Sequence, residues 1–210
     1  MRCTALAVSA LALLLAACGA LSPAPARVRT FRLEYPPPAA ADPSPTGVTL
    51  RVLRFSAMVP YDRQGFVYRD GLYDIGVDDY NRWLANPSDM VTDLLARDLA
   101  ASKAYQAVLV APSALPVDFE LNGQIETFEE RGGNGCTAAL RLRVLLVRVP
   151  PKGPRRVVLQ DVFTADEPCK SGDPAAFAEA MSRAMQNVSN QVQIAVRAAV
   201  AQNASGVPSS

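Results

Sequence analysis

The sequence contains no histidine in 210 residues. This excludes nucleophilic arrangements of the Ser-His-Asp and Cys-His types, as well as zinc catalysis that depends on histidine ligands. The sequence also lacks an excess of one charge, because its 21 Lys and Arg residues nearly balance its 20 Asp and Glu residues. No overall field therefore points to nucleic acid as a partner. We expect no catalytic residues, no metal site and no cofactor.

A long hydrophobic run is also missing, but a short one stands near the N-terminus. It follows Arg2, extends from about Ala5 to Leu14, and ends in the sequence Leu15-Ala16-Ala17-Cys18. The run is well short of the ~20 apolar residues that a membrane-spanning helix needs. A charged start, an apolar stretch and small residues before a cysteine are typical of a bacterial lipoprotein signal. The alternative is an ordinary signal peptide with a cysteine there by chance.

Cleavage before Cys18 predicts four regions: a signal peptide over 1–17, a lipid-tethered linker over 18–27, one domain over 28–202 and a disordered tail over 203–210. Acylation of Cys18 with about three chains would make the attachment stable. Gly19 and Ala20 follow the cysteine. The known signal for retention in the inner membrane is an aspartate directly after the cysteine. We therefore predict a lipid anchor in the outer membrane, with the domain facing the periplasm.

Only four cysteines are present, and two of them do not belong to the folded body. Cys3 is removed with the signal peptide and Cys18 is acylated. Cys136 and Cys169 remain in an oxidising compartment, where a disulfide is the default state. A redox or metal role is the alternative, but no CxxC pattern or other ligand lies nearby.

Hydrophobic periodicity predicts strands and two amphipathic helices. The predicted strands are Val28–Tyr35, Val48–Ala57, Phe66–Arg69, Leu72–Ile75, Tyr105–Val110, Asp118–Glu129, Thr137–Val149 and Arg155–Ala165. A first helix begins at Pro87 after a capping Asn86 and ends near Ser102, and a long second helix follows Asp173-Pro174. This order predicts an α+β fold, a two-layer sandwich with one mainly antiparallel sheet and both helices on one face.

Local signals refine the predicted sheet. Asp70-Gly71 predicts a two-residue hairpin turn, and Gly123 a β-bulge. If the last hairpin turns between Lys152 and Gly153, Cys136 lies opposite Cys169, within reach of a disulfide. The same register places Leu142 opposite Phe163 and Leu146 opposite Leu159 on one face. These apolar pairs support the register. It also places Val144 opposite Asp161, which counts against it or requires a bulge.

Aromatic residues are concentrated in one short segment: Phe66, Tyr68, Tyr73, Tyr80 and Trp83. They could form a docking surface or line an apolar groove. They could also form the core between sheet and helices, with their hydroxyls reaching the surface. The core interpretation is favoured, with Trp83 anchoring the first helix.

Basic residues are concentrated in the last hairpin: Arg141, Arg143, Arg148, Lys152, Arg155 and Arg156. They could meet phospholipid headgroups or an acidic partner. A solvated strand face is favoured instead, balanced by the neighbouring Glu120, Glu126, Glu129 and Glu130. Neither Glu129-Glu130 nor Asp78-Asp79 is specific enough to indicate acid–base catalysis. The glycine-rich stretch 131–135 lacks the ending of a phosphate-binding loop.

Two blocks of residues together resemble a known family. The first contains Cys18, an early strand, Val67-Tyr68-Arg69, Leu72, Tyr80, Arg82-Trp83, and Pro87 leading into a helix with Leu94, Leu95 and Leu99. The second contains Leu121-Asn122-Gly123-Gln124-Ile125, Phe128-Glu129, the long hairpin and the alanine-rich last helix. The sequence is thereby similar to the ABC-type transport auxiliary lipoproteins, the PqiC-like component of Mce-type intermembrane lipid-transport systems. The resemblance covers nearly all of the chain after Cys18.

The resemblance implies a non-catalytic protein whose partners are a periplasmic Mce-domain protein and an inner-membrane ABC transporter. Docking at the outer membrane would use either Tyr73, Tyr80 and Trp83, or Lys152 and Arg155 at the hairpin tip. Formation of a homo-oligomer is left open. Two alternatives stand beside this interpretation. One is an envelope-assembly lipoprotein of the TolB-N-like or peptidoglycan-synthase-activator type, and the other is a carboxylate-based hydrolase.

Overall fold

A computed structural model describes residues 27–40, 46–133 and 135–203. The predicted signal peptide, Cys18, residues 19–26 of the linker and residues 204–210 of the tail lie outside the described residues. Neither helix within those ranges is long and apolar enough to span a membrane.

The elements are β1 Arg29–Phe31, β2 Thr49–Val52, β3 Ser56–Ala57, β4 Gly65–Asp70, β5 Asp74–Trp83, α1 Pro87–Ala101, β6 Ala107–Val110, β7 Phe119–Arg131, β8 Cys136–Arg148, β9 Arg156–Cys169 and α2 Pro174–Asn203.

Strand β7 is the centre of one nine-stranded sheet. One edge of β7 pairs with β8, which pairs in turn with β9, and the other edge is shared along its length by β2, β3 and β4. The β4–β5, β7–β8 and β8–β9 ladders are antiparallel, whereas shorter parallel pairings join the remaining neighbours. Both helices pack on this sheet and touch each other. The predicted α+β fold is confirmed.

The first predicted strand is much shorter than the alternation indicates. Only Arg29–Phe31 pairs with β5, and the chain then leaves the sheet to run over the helices. Glu34 donates its backbone N–H to Ser182, and the Tyr35 carbonyl accepts a hydrogen bond from Arg97. Side chains of α1 and α2 thus satisfy backbone groups that a neighbouring strand would otherwise bond.

The turn between β4 and β5 is longer than predicted. Asp70 pairs with Asp74, so the loop consists of Gly71, Leu72 and Tyr73. Gly71 has φ +81°, a conformation that glycine adopts without a steric penalty. The second strand accordingly begins at Asp74 and continues to Trp83 instead of ending at Ile75.

The bulge predicted at Gly123 is wrong, because the register of β7 and β8 shifts around Glu126. Gly123 pairs regularly with Val144, and its lack of a side chain has another cause. A Cβ atom there would collide with the Phe55 ring and with the Arg143 carbonyl. The bulged Glu126 presents its carboxylate to both Arg141 and Arg143.

Both helices begin where predicted, but only one is capped by a side chain. The Asn86 side chain makes no capping hydrogen bond, and its backbone carbonyl accepts from the N–H groups of Asp89 and Met90. The Asp173 carboxylate, by contrast, accepts from the N–H of Ala175 at 3.0 Å and that of Ala176 at 3.4 Å.

The predicted register of the last hairpin is confirmed. Cys136 lies opposite Cys169, and the apolar pairs Leu142–Phe163 and Leu146–Leu159 face each other as expected. Val144 does lie opposite Asp161, and the register shifts only beyond Leu146, near the tip. The structure joins the two cysteines in a disulfide, with Cα atoms 4.9 Å apart.

We predict that replacing Cys136 and Cys169 together by serine lowers the free energy of unfolding by about 3 kcal/mol, because the bridge restricts the unfolded chain. Urea denaturation of the wild type and the double variant would measure the difference. Peptide mapping without reductant should show one cross-linked peptide from the wild type. Two free thiols after periplasmic expression would contradict the assignment.

Candidate docking surfaces

The aromatic segment divides between the core and the surface. Phe66 and Trp83 are buried, and their ring centroids lie 4.4 Å apart. The Trp83 ring also lies 5.2 Å from Phe128 of β7 and 5.8 Å from Phe177 of α2. Trp83 is only 1 % exposed, so it offers no surface to a partner. The core interpretation is confirmed for Phe66 and Trp83, and it is wrong for the exposed tyrosines.

The turn of the β4–β5 hairpin carries a solvent-facing apolar patch. Tyr73 is 91 % exposed and Leu72 70 %, and Ile75 is exposed beside them. We call Leu72, Tyr73 and Ile75 the hairpin end. A tight turn normally carries polar residues, so adjacent large apolar side chains here form an unusual surface.

A cavity of about 730 Å³ opens beside the same hairpin, lined by residues of β4, β5 and the end of β7 and by Pro174 at the start of α2. We call it the β4–β5 cavity. Its aromatic lining comes from Phe66, Tyr68 and Tyr80, and its acidic lining includes Asp78, Asp79 and Glu130. The Tyr68 ring lies against Gly76 of the facing strand, where any Cβ atom would collide with it. Gly76 thus allows Tyr68 to lie against β5 and form a wall of the cavity.

The adjacent carboxylates of Glu129 and Glu130 have different environments. Glu129 is fully buried, where it accepts hydrogen bonds from Tyr61 at 2.5 Å, Arg69 at 2.9 and 3.1 Å, and Arg131 at 3.1 Å. Burial alone would raise the pKa of Glu129, but the hydrogen bonds from these three residues outweigh it and lower that pKa. Glu129 is therefore a structural anion near the end of the central strand β7.

Glu130 faces the β4–β5 cavity instead. Burial raises the pKa of Glu130, and the negative charge of Asp78 raises it further. Among the described residues, no arginine or lysine forms an ion pair with Glu130. The cavity thus contains a partly buried carboxylate that the negative charge of Asp78 repels.

The basic hairpin is only partly paired with carboxylates, so the favoured interpretation holds for three of its six cations. Glu120 pairs with Arg155 at 2.7 Å and with Arg51 at 2.9 Å. Glu126 likewise pairs with Arg141 and Arg143. Lys152 differs: it lines a small cavity of about 230 Å³ at the tip, together with Arg148 and Arg156. None of these three cations has a carboxylate partner within the described part of the chain.

Sequence reasoning missed the β4–β5 cavity because its acidic residues come from separate segments. Asp78 lies opposite Phe66 in the hairpin, and Glu130 lies beside Tyr68 through the parallel pairing of β4 with the end of β7. A hairpin can be predicted from a local turn, but a parallel pairing across about 60 residues has no local signal. The two acidic pairs therefore seemed unrelated in the sequence.

The structure defines an α+β domain in which two helices cover one mixed sheet. Within the described ranges, no three Asp, Glu or Cys residues are grouped so as to hold a metal ion. A solved protein from Xanthomonas campestris, described by the family model DUF330, has the same fold with a TM-score of 0.74 and 22 % identity, over 85 % of this chain and 99 % of that one. A hypothetical protein from Chlamydia trachomatis has a TM-score of 0.55 and 11 % identity, over 75 % and 99 % of the two chains. At these identities the likeness concerns the fold alone.

The family follows from the sequence match. The model of the ABC-type transport auxiliary lipoprotein component matches residues 31–193, and the chain belongs to this family. Among curated proteins, none is significantly similar to the sequence. The family resemblance read from the residue pattern is thereby confirmed.

Proposed function

We propose that the protein is a non-catalytic, lipid-anchored component of an Mce-type intermembrane lipid-transport system, and that it docks the periplasmic Mce-domain protein at the outer membrane. Membership in the auxiliary lipoprotein family supports a transport role beside an ABC transporter. The lipoprotein signal ending at Cys18 supports the anchor, and Gly19 in place of an aspartate supports the outer membrane.

The observation that carries the docking proposal is the hairpin end. Leu72 and Tyr73 are exposed at the tip of a hairpin whose base is fixed by Phe66 and Trp83 in the core. Aromatic side chains on a rigid support are the usual anchors of protein interfaces, and a few of them supply most of the binding energy. Covering Leu72 or Tyr73 fully would contribute roughly 1.5–3 kcal/mol each.

The experiment uses the full lipidated chain in detergent and a purified Mce-domain protein from the same transport system. We predict that the double variant Leu72→Ser with Tyr73→Ser binds this partner at least about tenfold more weakly than the wild type. Ile194→Ser is the matched control, because Ile194 is 73 % exposed on α2. Biolayer interferometry would measure the affinities.

Two results would contradict the proposal. If the folded wild-type chain formed no complex at micromolar concentrations, the transport role through this partner would be wrong. If Lys152→Glu abolished binding and the hairpin-end variant did not, docking would use the basic tip. Lys152 would then be the relevant candidate, because Arg155 already forms an ion pair with Glu120.

A further inference from the structure

The glutamate of strand β7 that lines the β4–β5 cavity lacks the arginine partners that the other glutamates of this strand have. Glu120, Glu126 and Glu129 are each largely or fully buried, and each is paired with two arginines. Glu130 is the one glutamate of β7 without such a partner within the described ranges. Leaving a carboxylate partly buried and unpaired is unfavourable, unless a positive charge arrives from outside the chain.

The other lining residues favour the same charge. Asp70, Asp79 and Glu130 line the cavity without an ion-pair partner in the described structure. Asp78 is held in place, since its carboxylate accepts from the backbone N–H of Tyr80 at 2.9 Å and from the Asn81 side chain at 2.6 Å. Arg69, the one cation among the described lining residues, is engaged by Glu129.

The aromatic walls suit a cationic side chain better than a bare ion. Tyr68 and Tyr80 are 43 % and 58 % exposed and line the opening of the cavity. Aromatic faces attract guanidinium and ammonium groups and pack against their aliphatic stems. The volume of about 730 Å³ has room for more than one side chain, so a short segment of a partner would fit.

We infer that the β4–β5 cavity receives an arginine or lysine side chain from a basic segment of the protein partner that docks on the adjacent hairpin end. The identity of that partner rests on the proposed function, whereas the chemistry of the cavity does not. The apolar hairpin end would provide contact area for the partner. The acidic cavity would select a basic segment over an acidic one, because it would repel negative charge.

Binding of a short cationic peptide tests the cavity without the protein partner. The probe is an acetylated tetra-arginine amide, and tetra-citrulline is its uncharged counterpart of similar shape. The variant is Asp79→Asn with Glu130→Gln, because neither side chain holds a structural hydrogen bond among the described residues. The control is Asp62→Asn with Asp93→Asn, which changes the charge equally at exposed positions outside the cavity lining.

We expect fluorescence anisotropy to show tetra-arginine binding to the full wild-type chain and to the control. Binding to the cavity variant should be weaker by at least about tenfold, with the difference shrinking at high salt. Equal binding to the two double variants, no binding to the wild type, or equal binding of tetra-citrulline would overturn the inference.

The same proteins are then tested with the Mce-domain protein. Weaker binding to the cavity variant than to the control places the partner's cation in the cavity. If the wild type and both variants bind it equally, the inference fails while the proposed function stands. If the wild type does not bind it but tetra-arginine binding still depends on Glu130 and Asp79, the proposed function fails while the cationic site stands.

Discussion

Replacing Trp83 by alanine should lower the free energy of unfolding by about 3–5 kcal/mol. Trp83 is the largest fully buried side chain, and its ring lies between Phe66, Phe128 and Phe177. These rings come from the β4–β5 hairpin, the central strand and the last helix, so the cavity left by the substitution would open where three elements meet. Urea denaturation followed by circular dichroism would measure the loss.

The matched control is Tyr73→Ala, which removes an aromatic ring that is 91 % exposed. A substitution at such an exposed position should change the free energy of unfolding by less than about 0.5 kcal/mol. Similar effects of the two substitutions would show that Trp83 is not the packing centre of the domain.

Glu129→Ala should lower the free energy of unfolding by about 3 kcal/mol, because it leaves the buried Tyr61 hydroxyl without an acceptor and Arg69, which is 29 % exposed, without its carboxylate. Arg69, Arg131 and the Tyr61 hydroxyl all donate to this carboxylate. Glu126→Ala is a suitable comparison, since both arginines that pair with Glu126 are nearly half exposed, whereas Glu129 also accepts from the buried Tyr61 hydroxyl. We expect a loss of at most about 1 kcal/mol there.

The pH dependence provides a second measurement for Glu129. Its pKa is lowered in the folded protein, so its contribution is fully present above the unfolded pKa of about 4.3 and is lost as the pH falls through the folded value. The free energy of unfolding of the wild type should therefore decrease below about pH 4.3 more steeply than that of Glu129→Gln. Parallel curves for the two proteins would contradict the assigned role of Glu129.

The β8–β9 hairpin shows that strand pairing can be predicted from the sequence when the paired residues are close along the chain. A turn near Lys152 sets the register of the two strands, with one shift between Leu146 and Val147, and alternation fixes which face each residue occupies. The cysteine pair and the apolar pairs follow from these two facts. A helix start is equally local, since Asp173 bonds to N–H groups only two and three residues away.

The N-terminal half shows where local signals fail. The alternation of Val28–Tyr35 predicts a strand, yet the Tyr35 hydroxyl donates to Asp98 of α1 at 2.7 Å. Ser189 of α2 donates to the same carboxylate at 2.6 Å. This buried contact joins segments 63 and 91 residues apart, and its geometry depends on how both helices pack. The cavity was missed for the same reason, since a parallel pairing brings Glu130 beside Tyr68.

The position of β7 in the sheet has a consequence for how the chain folds during export. Strands β2, β3 and β4 all precede β7 and all depend on it as their neighbour, with Leu50 pairing to Phe119. If the N-terminal part is translocated first, these strands emerge before the strand that completes their hydrogen bonds. Pairing over such sequence distances is slow, and unpaired apolar strands are prone to aggregate meanwhile. We expect the β7–β8–β9 meander to form first and serve as the template for the earlier strands, so a chain that is exported N-terminus first should depend on a holdase until its second half has crossed the membrane.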